Sequence, residues 1–169
     1  LKGERFRLLH LPEVEVLATS LEGLASAEVP ADALVVIDGA CPTPIPGADF
    51  VLLNPPVGRC RTVTLGERST PPRITSWSET DARLRFLTLD GVELMTARSL
   101  SLESPRDALI RAPDGALVAD VSSPGRTGTL IAFDVGESTW PLKASFVLFV
   151  RNLVEMARAR RAATCEIGR

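Results

Sequence analysis

The sequence predicts an α/β domain with a parallel sheet in its first half and an antiparallel meander in its second half. Residues 33–37 and 50–53 are continuous apolar runs that stop at turn-forming residues. Such runs are typical of strands buried on both faces of a parallel sheet. Residues 109–111 and 116–121 flank an Ala-Pro-Asp-Gly turn, which predicts a hairpin. From Leu142 to Ala157 apolar residues recur at helical spacing, which predicts a closing amphipathic helix.

The remaining elements follow from shorter patterns. They are, in chain order, a helix end at residues 8–11, a strand at 14–18, a helical turn at 21–25, and strands at 61–65, 92–97 and 129–135. The hydroxyls of Ser138 and Thr139 and the proline at 141 are typical of a helix start, so we expect the closing helix to begin there. Three arginines at residues 158, 160 and 161 are expected in its last turn, where they complement the helix dipole.

Length and composition set the class of protein. The 169 residues, 45% hydrophobic and 24% charged, suit a single domain spanning residues 1–169. The net charge of −2 offers no basic surface for nucleic acid. No run approaches the ~18 apolar residues of a membrane span, so we expect that this stretch does not cross a bilayer. The chain opens without Met, and we interpret it as a piece of a longer protein.

The residues available for chemistry are few. One His and three scattered Cys cannot complete a typical zinc site, and no glycine-rich phosphate loop is present, so we predict no cofactor or metal. Asp38 ends a predicted strand but lacks the neighbouring hydroxyls that a divalent cation would need. The carboxylates at residues 79, 81, 90 and 93 are expected on a solvated face.

Cys41 is the one weak candidate for a catalytic residue. It follows a predicted buried strand, where some hydrolases and amidotransferases place their nucleophile, and His10 is the only imidazole that could activate it. Its neighbours Ala40 and Pro42 do not suit a nucleophile elbow. The alternatives are a half-buried structural thiol or, in an oxidising compartment, a disulfide with Cys60.

Trp140, Pro141 and Phe146 form a candidate interaction surface before and at the start of the closing helix. The alternative is that Trp140 packs the helix start onto the sheet. The sequence leaves both interpretations open.

Several segments together resemble the region after the adhesion domain in bacterial aerotolerance-type (Bat-like) membrane proteins that carry a von Willebrand factor A domain. These segments are ALVVIDG at residues 33–39, PG at 46–47, VLLNPP at 51–56, ITSW at 74–77 and FDVGESTWPLK at 133–143, followed by Phe146 and Asn152. Thr139 stands where the family pattern has an acidic residue, and Val147 where it has proline.

The resemblance implies a three-layer, flavodoxin-like fold of the class I glutamine amidotransferase type that lacks the amidotransferase's active residues. It also implies a non-catalytic structural or interaction module on the extracytoplasmic face of the inner membrane, held by anchors outside this chain. Its partners would be proteins, including other domains of the same membrane protein. The family's first strand would lie upstream of Leu1, so we expect copies to pair through an open sheet edge. The alternative function is a cysteine-dependent hydrolase or amidotransferase relative that uses Cys41.

Overall fold

The computed structural model describes residues 14–30, 33–47, 49–69 and 73–167, with side chains described as far as residue 160. Its helices are α1 (Leu21–Ser26) and α2 (Ala144–Ile167). Its strands are β1 (Leu34–Asp38), β2 (Asp49–Leu53), β3 (Gly58–Cys60), β4 (Val63–Ser69), β5 (Ser76–Trp77), β6 (Ala97–Leu102), β7 (Ala108–Ala112), β8 (Gly115–Asp120) and β9 (Gly128–Ile131).

Six strands form a mixed sheet in the order β1-β2-β9-β8-β7-β5. β1, β2 and β9 run parallel to one another, whereas β8, β7 and β5 continue the sheet in antiparallel pairs. The α/β class, the parallel first half and the hairpin of β7 and β8 are therefore confirmed. β3, β4 and β6 make a separate antiparallel sheet.

The core consists of two clusters on opposite faces of the six-stranded sheet. Successive β2 side chains alternate between them: Val51 and Leu53 belong to one cluster, and Phe50 and Leu52 to the other. Because strand side chains point alternately to the two faces, this alternation places one cluster on each face. The first cluster includes Phe149 and other α2 residues. The second is completed by the small sheet, whose Cys60, Val63, Leu65 and Leu100 are buried there.

The closing helix begins later and ends later than its pattern predicts. Trp140–Leu142 forms a 3-10 turn, and α2 starts at Ala144. The Thr139 hydroxyl does not cap a helix at this point. It accepts a hydrogen bond from the backbone N–H of Glu93 instead. Since α2 continues to Ile167, residues 158–161 lie before its last turn. Arg160 instead forms an ion pair with the buried Asp49, with 3.1 Å between nitrogen and oxygen.

Two predicted strands are wrong. Residues 14–18 have no regular structure and pair with none of the described strands; the alternation of apolar and polar residues is not sufficient to form a strand without such pairing. In residues 92–97 only Leu94 forms a bridge, with Ser138, and the strand β6 begins at Ala97. The helical turn at 21–25 is confirmed as α1. The predicted helix end at residues 8–11 lies outside the described residues.

β1 is one edge of the six-stranded sheet and pairs only with β2 among the described strands. Val35 and Ile37 are buried in the core, whereas Val36 is 40% exposed. The expectation that residues 33–37 form a strand buried on both faces is therefore wrong for β1, because an edge strand is covered less completely than a central one. Within the described ranges, none of the helices combines the length and the apolarity that crossing a membrane requires.

Candidate functional site

Cys41 lies in the loop after β1 and is joined to Cys60 at the end of β3 by a disulfide, with 5.9 Å between the two Cα atoms. Cys60 is buried in the core beneath the small sheet. While this bond is intact Cys41 carries no thiol, so it cannot act as a nucleophile. Of the three alternatives for Cys41, namely a nucleophile, a free structural thiol and a disulfide with Cys60, the structure shows the disulfide. His10, its only candidate base, lies outside the described residues.

Trp140 and Phe146 are not at the surface. Trp140 is 1% exposed and Phe146 is 7% exposed. Their rings pack edge to face, with 5.4 Å between the ring centroids. The Trp140 ring also lies 5.0 Å from the ring of Phe149. The expectation that Trp140 and Phe146 form a contact surface is therefore wrong. Both rings anchor the start of α2 in the core, because burying a large aromatic area is favourable. Pro141 is exposed, and so is Leu142, at 85%.

The buried Arg83 lies at the centre of a polar cluster. It lies in a 3-10 turn, Ala82–Leu84, and is 3% exposed. Its guanidinium bonds both carboxylate oxygens of Asp81, at 2.8 and 2.7 Å, and both of Asp120 on β8, at 3.2 and 2.9 Å. It also donates to the carbonyl of Gly128 and the hydroxyl of Thr129 on β9. The side chain thus connects the turn to two strands of the sheet.

The charges in this cluster stabilise one another. Burial by itself raises the pKa of Asp81 and of Asp120, but the hydrogen bonds and positive charge of Arg83 outweigh it, and the net pKa of each carboxyl is lowered. Burial lowers the pKa of Arg83, and the two carboxylates more than compensate, so its net pKa is raised. Arg83 therefore stays charged, and the cluster is suited to holding the fold rather than to transferring protons.

Sequence reasoning missed this cluster. Asp81 was expected on a solvated face, yet its side chain is 23% exposed and paired with Arg83. The expectation fails because Asp120 is distant in sequence and becomes a neighbour only through the sheet. The Asp81-x-Arg83 spacing is common in polar loops and does not indicate burial. In the portion of the chain with placed side chains, no three His, Cys, Asp or Glu residues come together as metal ligands.

A scan against protein-family models, a search of curated proteins and a search of solved structures found no match to this chain.

Proposed function

We propose that this chain is a non-catalytic, extracytoplasmic structural and interaction module of a membrane-anchored, Bat-like bacterial protein that carries a von Willebrand factor A domain. Its anchors lie outside the chain, and it contacts other domains of the same protein or separate protein partners. The observation that carries the proposal is the Cys41–Cys60 disulfide. Disulfides persist in oxidising compartments and are rare in the cytosol, which favours the extracytoplasmic face of the inner membrane.

The same bond bears on the alternative function. A cysteine-dependent hydrolase or amidotransferase needs a free thiolate, and the disulfide removes the thiol of Cys41. Pro42 follows directly and has no backbone N–H to contribute to an oxyanion hole. Both facts favour a cross-linking role for Cys41 over a catalytic one.

For the finer fold we propose the flavodoxin-like arrangement of class I glutamine amidotransferases. The support is the run of three parallel strands, β1, β2 and β9, with the long helix α2 against one face. Doubly wound folds carry helices on both faces, whereas here the small antiparallel sheet covers much of the second face. An experimental structure of the longer protein tests this: helices completing the second face support the assignment, and a second face closed by strands alone overturns it.

The thiol state of the protein in its own cells tests the functional proposal. Acid quenching of the cells preserves the thiol state of the protein. The denatured protein is then labelled with a maleimide polymer before and after reduction, and the shifts of its band on a gel give the number of labelled cysteines. We expect Cys41 and Cys60 to react only after reduction. A Cys41→Ala variant is the matched control, because it leaves Cys60 unpaired and reactive without reduction. Labelling of native Cys41 before reduction would contradict the proposal and restore the enzyme alternative.

A further inference from the structure

An open cleft of about 470 Å³ lies where three segments meet: the loop after β1, the turn between β3 and β4, and the chain after β8. The Cys41–Cys60 disulfide ties the first two segments together. The polar side chains that line the cleft are two arginines and four hydroxyl residues, namely Arg59, Arg61, Thr43, Thr62, Ser122 and Ser123. None of the residues lining it carries a carboxylate or an aromatic ring.

Arg61 occupies a backbone conformation that its residue type disfavours. Cys60 and Val63 are paired across the β3–β4 hairpin, so Arg61 and Thr62 form a two-residue turn. The φ angle of Arg61 is +59°, in the left-handed region where Gly or Asn is usual. Residues held in such conformations cluster at ligand-binding sites. An arginine in this conformation suggests that the side chain itself has a function that offsets the backbone strain.

The side chain of Arg61 is packed against the core, and one of its N–H groups has no hydrogen-bond partner. Its guanidinium carbon lies 5.5 Å from the centroid of the Phe50 ring, and Phe50 is 1% exposed. Its Nε atom is buried and has no hydrogen-bond partner. Across the described part of the chain, no carboxylate pairs with this guanidinium. Because Arg61 lines the cleft and no described carboxylate neutralises it, its guanidinium is placed to bind an anion that enters the cleft.

The other charged groups near the cleft leave room for an anion. Arg59 pairs with Glu103 at 2.9 Å, but both side chains are more than half exposed, and such pairs contribute little stability. An incoming anion can therefore exchange with Glu103. Asp120 lies next to the cleft, yet its carboxylate is held by Arg83 and by the Ser122 hydroxyl. The cleft thus presents the guanidinium of Arg61 and, once an anion displaces Glu103, that of Arg59.

We infer that this cleft binds a phosphate-bearing ligand of sugar-phosphate size. Guanidinium groups bind phosphate through two parallel hydrogen bonds, and the hydroxyls of Thr43, Thr62 and Ser123 can bond a sugar. The volume lies within the ~300–1,000 Å³ typical of small-molecule sites and exceeds what a lone phosphate ion fills. Without an aromatic lining residue the cleft offers no stacking surface for a nucleobase. The inference is independent of the proposed function.

Calorimetric titration of the full, oxidised chain tests the inference. The probes are glucose 6-phosphate, glucose, and vesicles of phosphatidylglycerol or phosphatidylcholine. We expect glucose 6-phosphate to bind and glucose not to bind, since the phosphate supplies the recognised charge. The vesicles distinguish the two sources of phosphate. If the chain binds phosphatidylglycerol vesicles and glucose 6-phosphate displaces them, the ligand is a lipid headgroup. If the chain binds glucose 6-phosphate but no vesicles, the ligand is a free sugar phosphate.

The decisive variant is Arg61→Gly. Glycine accepts a φ of +59°, so the turn and the fold persist, which a urea titration verifies. We expect glucose 6-phosphate to bind at least about tenfold more weakly, as loss of a charge-assisted contact predicts. Arg106→Ala removes an exposed arginine outside the cleft and is expected to bind as the native chain does. Equal binding by Arg61→Gly and the native chain, or no binding of glucose 6-phosphate at about 1 mM, overturns the inference.

Discussion

The guanidinium of Arg83 lies inside the fold, and its hydrogen bonds reach its own 3-10 turn, β8 and β9. Asn152 of α2 donates to the backbone carbonyls of Arg83 and Arg85, so the closing helix is tied to the same turn. Removing one partner of a buried ion pair leaves the charge of the other partner uncompensated. At the residue scale, Arg83 is therefore the position at which one substitution disturbs the most elements.

Replacing Arg83 by methionine is expected to lower the free energy of unfolding by about 3–5 kcal/mol, because the partly buried carboxylates of Asp81 and Asp120 then lose the positive charge that compensates them. Urea denaturation measures the loss. Arg59→Met is the matched control: it breaks an exposed pair with Glu103 and should cost no more than about 1 kcal/mol. Similar losses in the two variants would contradict the role given to Arg83.

The same cluster predicts a dependence of stability on acid. The folded-state pKa of Asp120 lies below its ordinary value of 3.8, so its contribution is present above about pH 4 and is lost as the pH falls through the lowered pKa. Asp120→Asn should therefore be less stable than the native chain at neutral pH, and the difference should shrink below pH 4. Urea titrations across this range measure it. A difference that does not change with pH would refute the linkage.

At the scale of elements, the start of α2 depends on an aromatic cluster. Phe149 is 2% exposed and contacts the Trp140 ring, whereas Val147, two residues earlier on α2, is 42% exposed. The helical spacing of the apolar residues was sufficient to predict this helix. Its first residue was not predictable, because the hydroxyl of Thr139 bonds the backbone of Glu93, a contact made only in the fold.

Phe149→Ala is expected to lower the free energy of unfolding by about 3–5 kcal/mol, since it leaves a cavity beside Trp140. Val147→Ala lies on the same helix but shortens a side chain that is 42% exposed and belongs to neither core cluster, and should change stability by no more than about 0.5 kcal/mol. Thermal or urea unfolding compares the two variants. If Val147→Ala proves as costly as Phe149→Ala, the helix packs by a different face.

At the scale of the whole molecule, the outer edge of β1, which pairs only with β2 among the described strands, is the surface through which we expect copies of the chain to pair. Exposed strand edges template pairing with another chain. Val36 points away from the core cluster that holds Val35 and Ile37 and is 40% exposed, so a lysine there places a charge on the edge strand whose end can reach solvent.

Light scattering during gel filtration tests this expectation. We expect the native chain to self-associate and Val36→Lys to be monomeric, because lysine on an edge strand opposes pairing. Val57→Lys is the control, since Val57 is 49% exposed and lies outside β1. A native chain that is monomeric at every concentration, or a Val36→Lys variant that still associates, would contradict pairing through this edge.

The sequence by itself determined the α/β class, the two parallel strands β1 and β2, the hairpin and the closing helix, because apolar periodicity and turn residues act locally. Only the tertiary structure decided among the alternatives for Cys41, placed Trp140 and Phe146 in the core, and brought Asp120 to Arg83. Those outcomes join residues far apart in the chain. Which distant residues meet depends on the order of strands in the sheet, and no local pattern records that order.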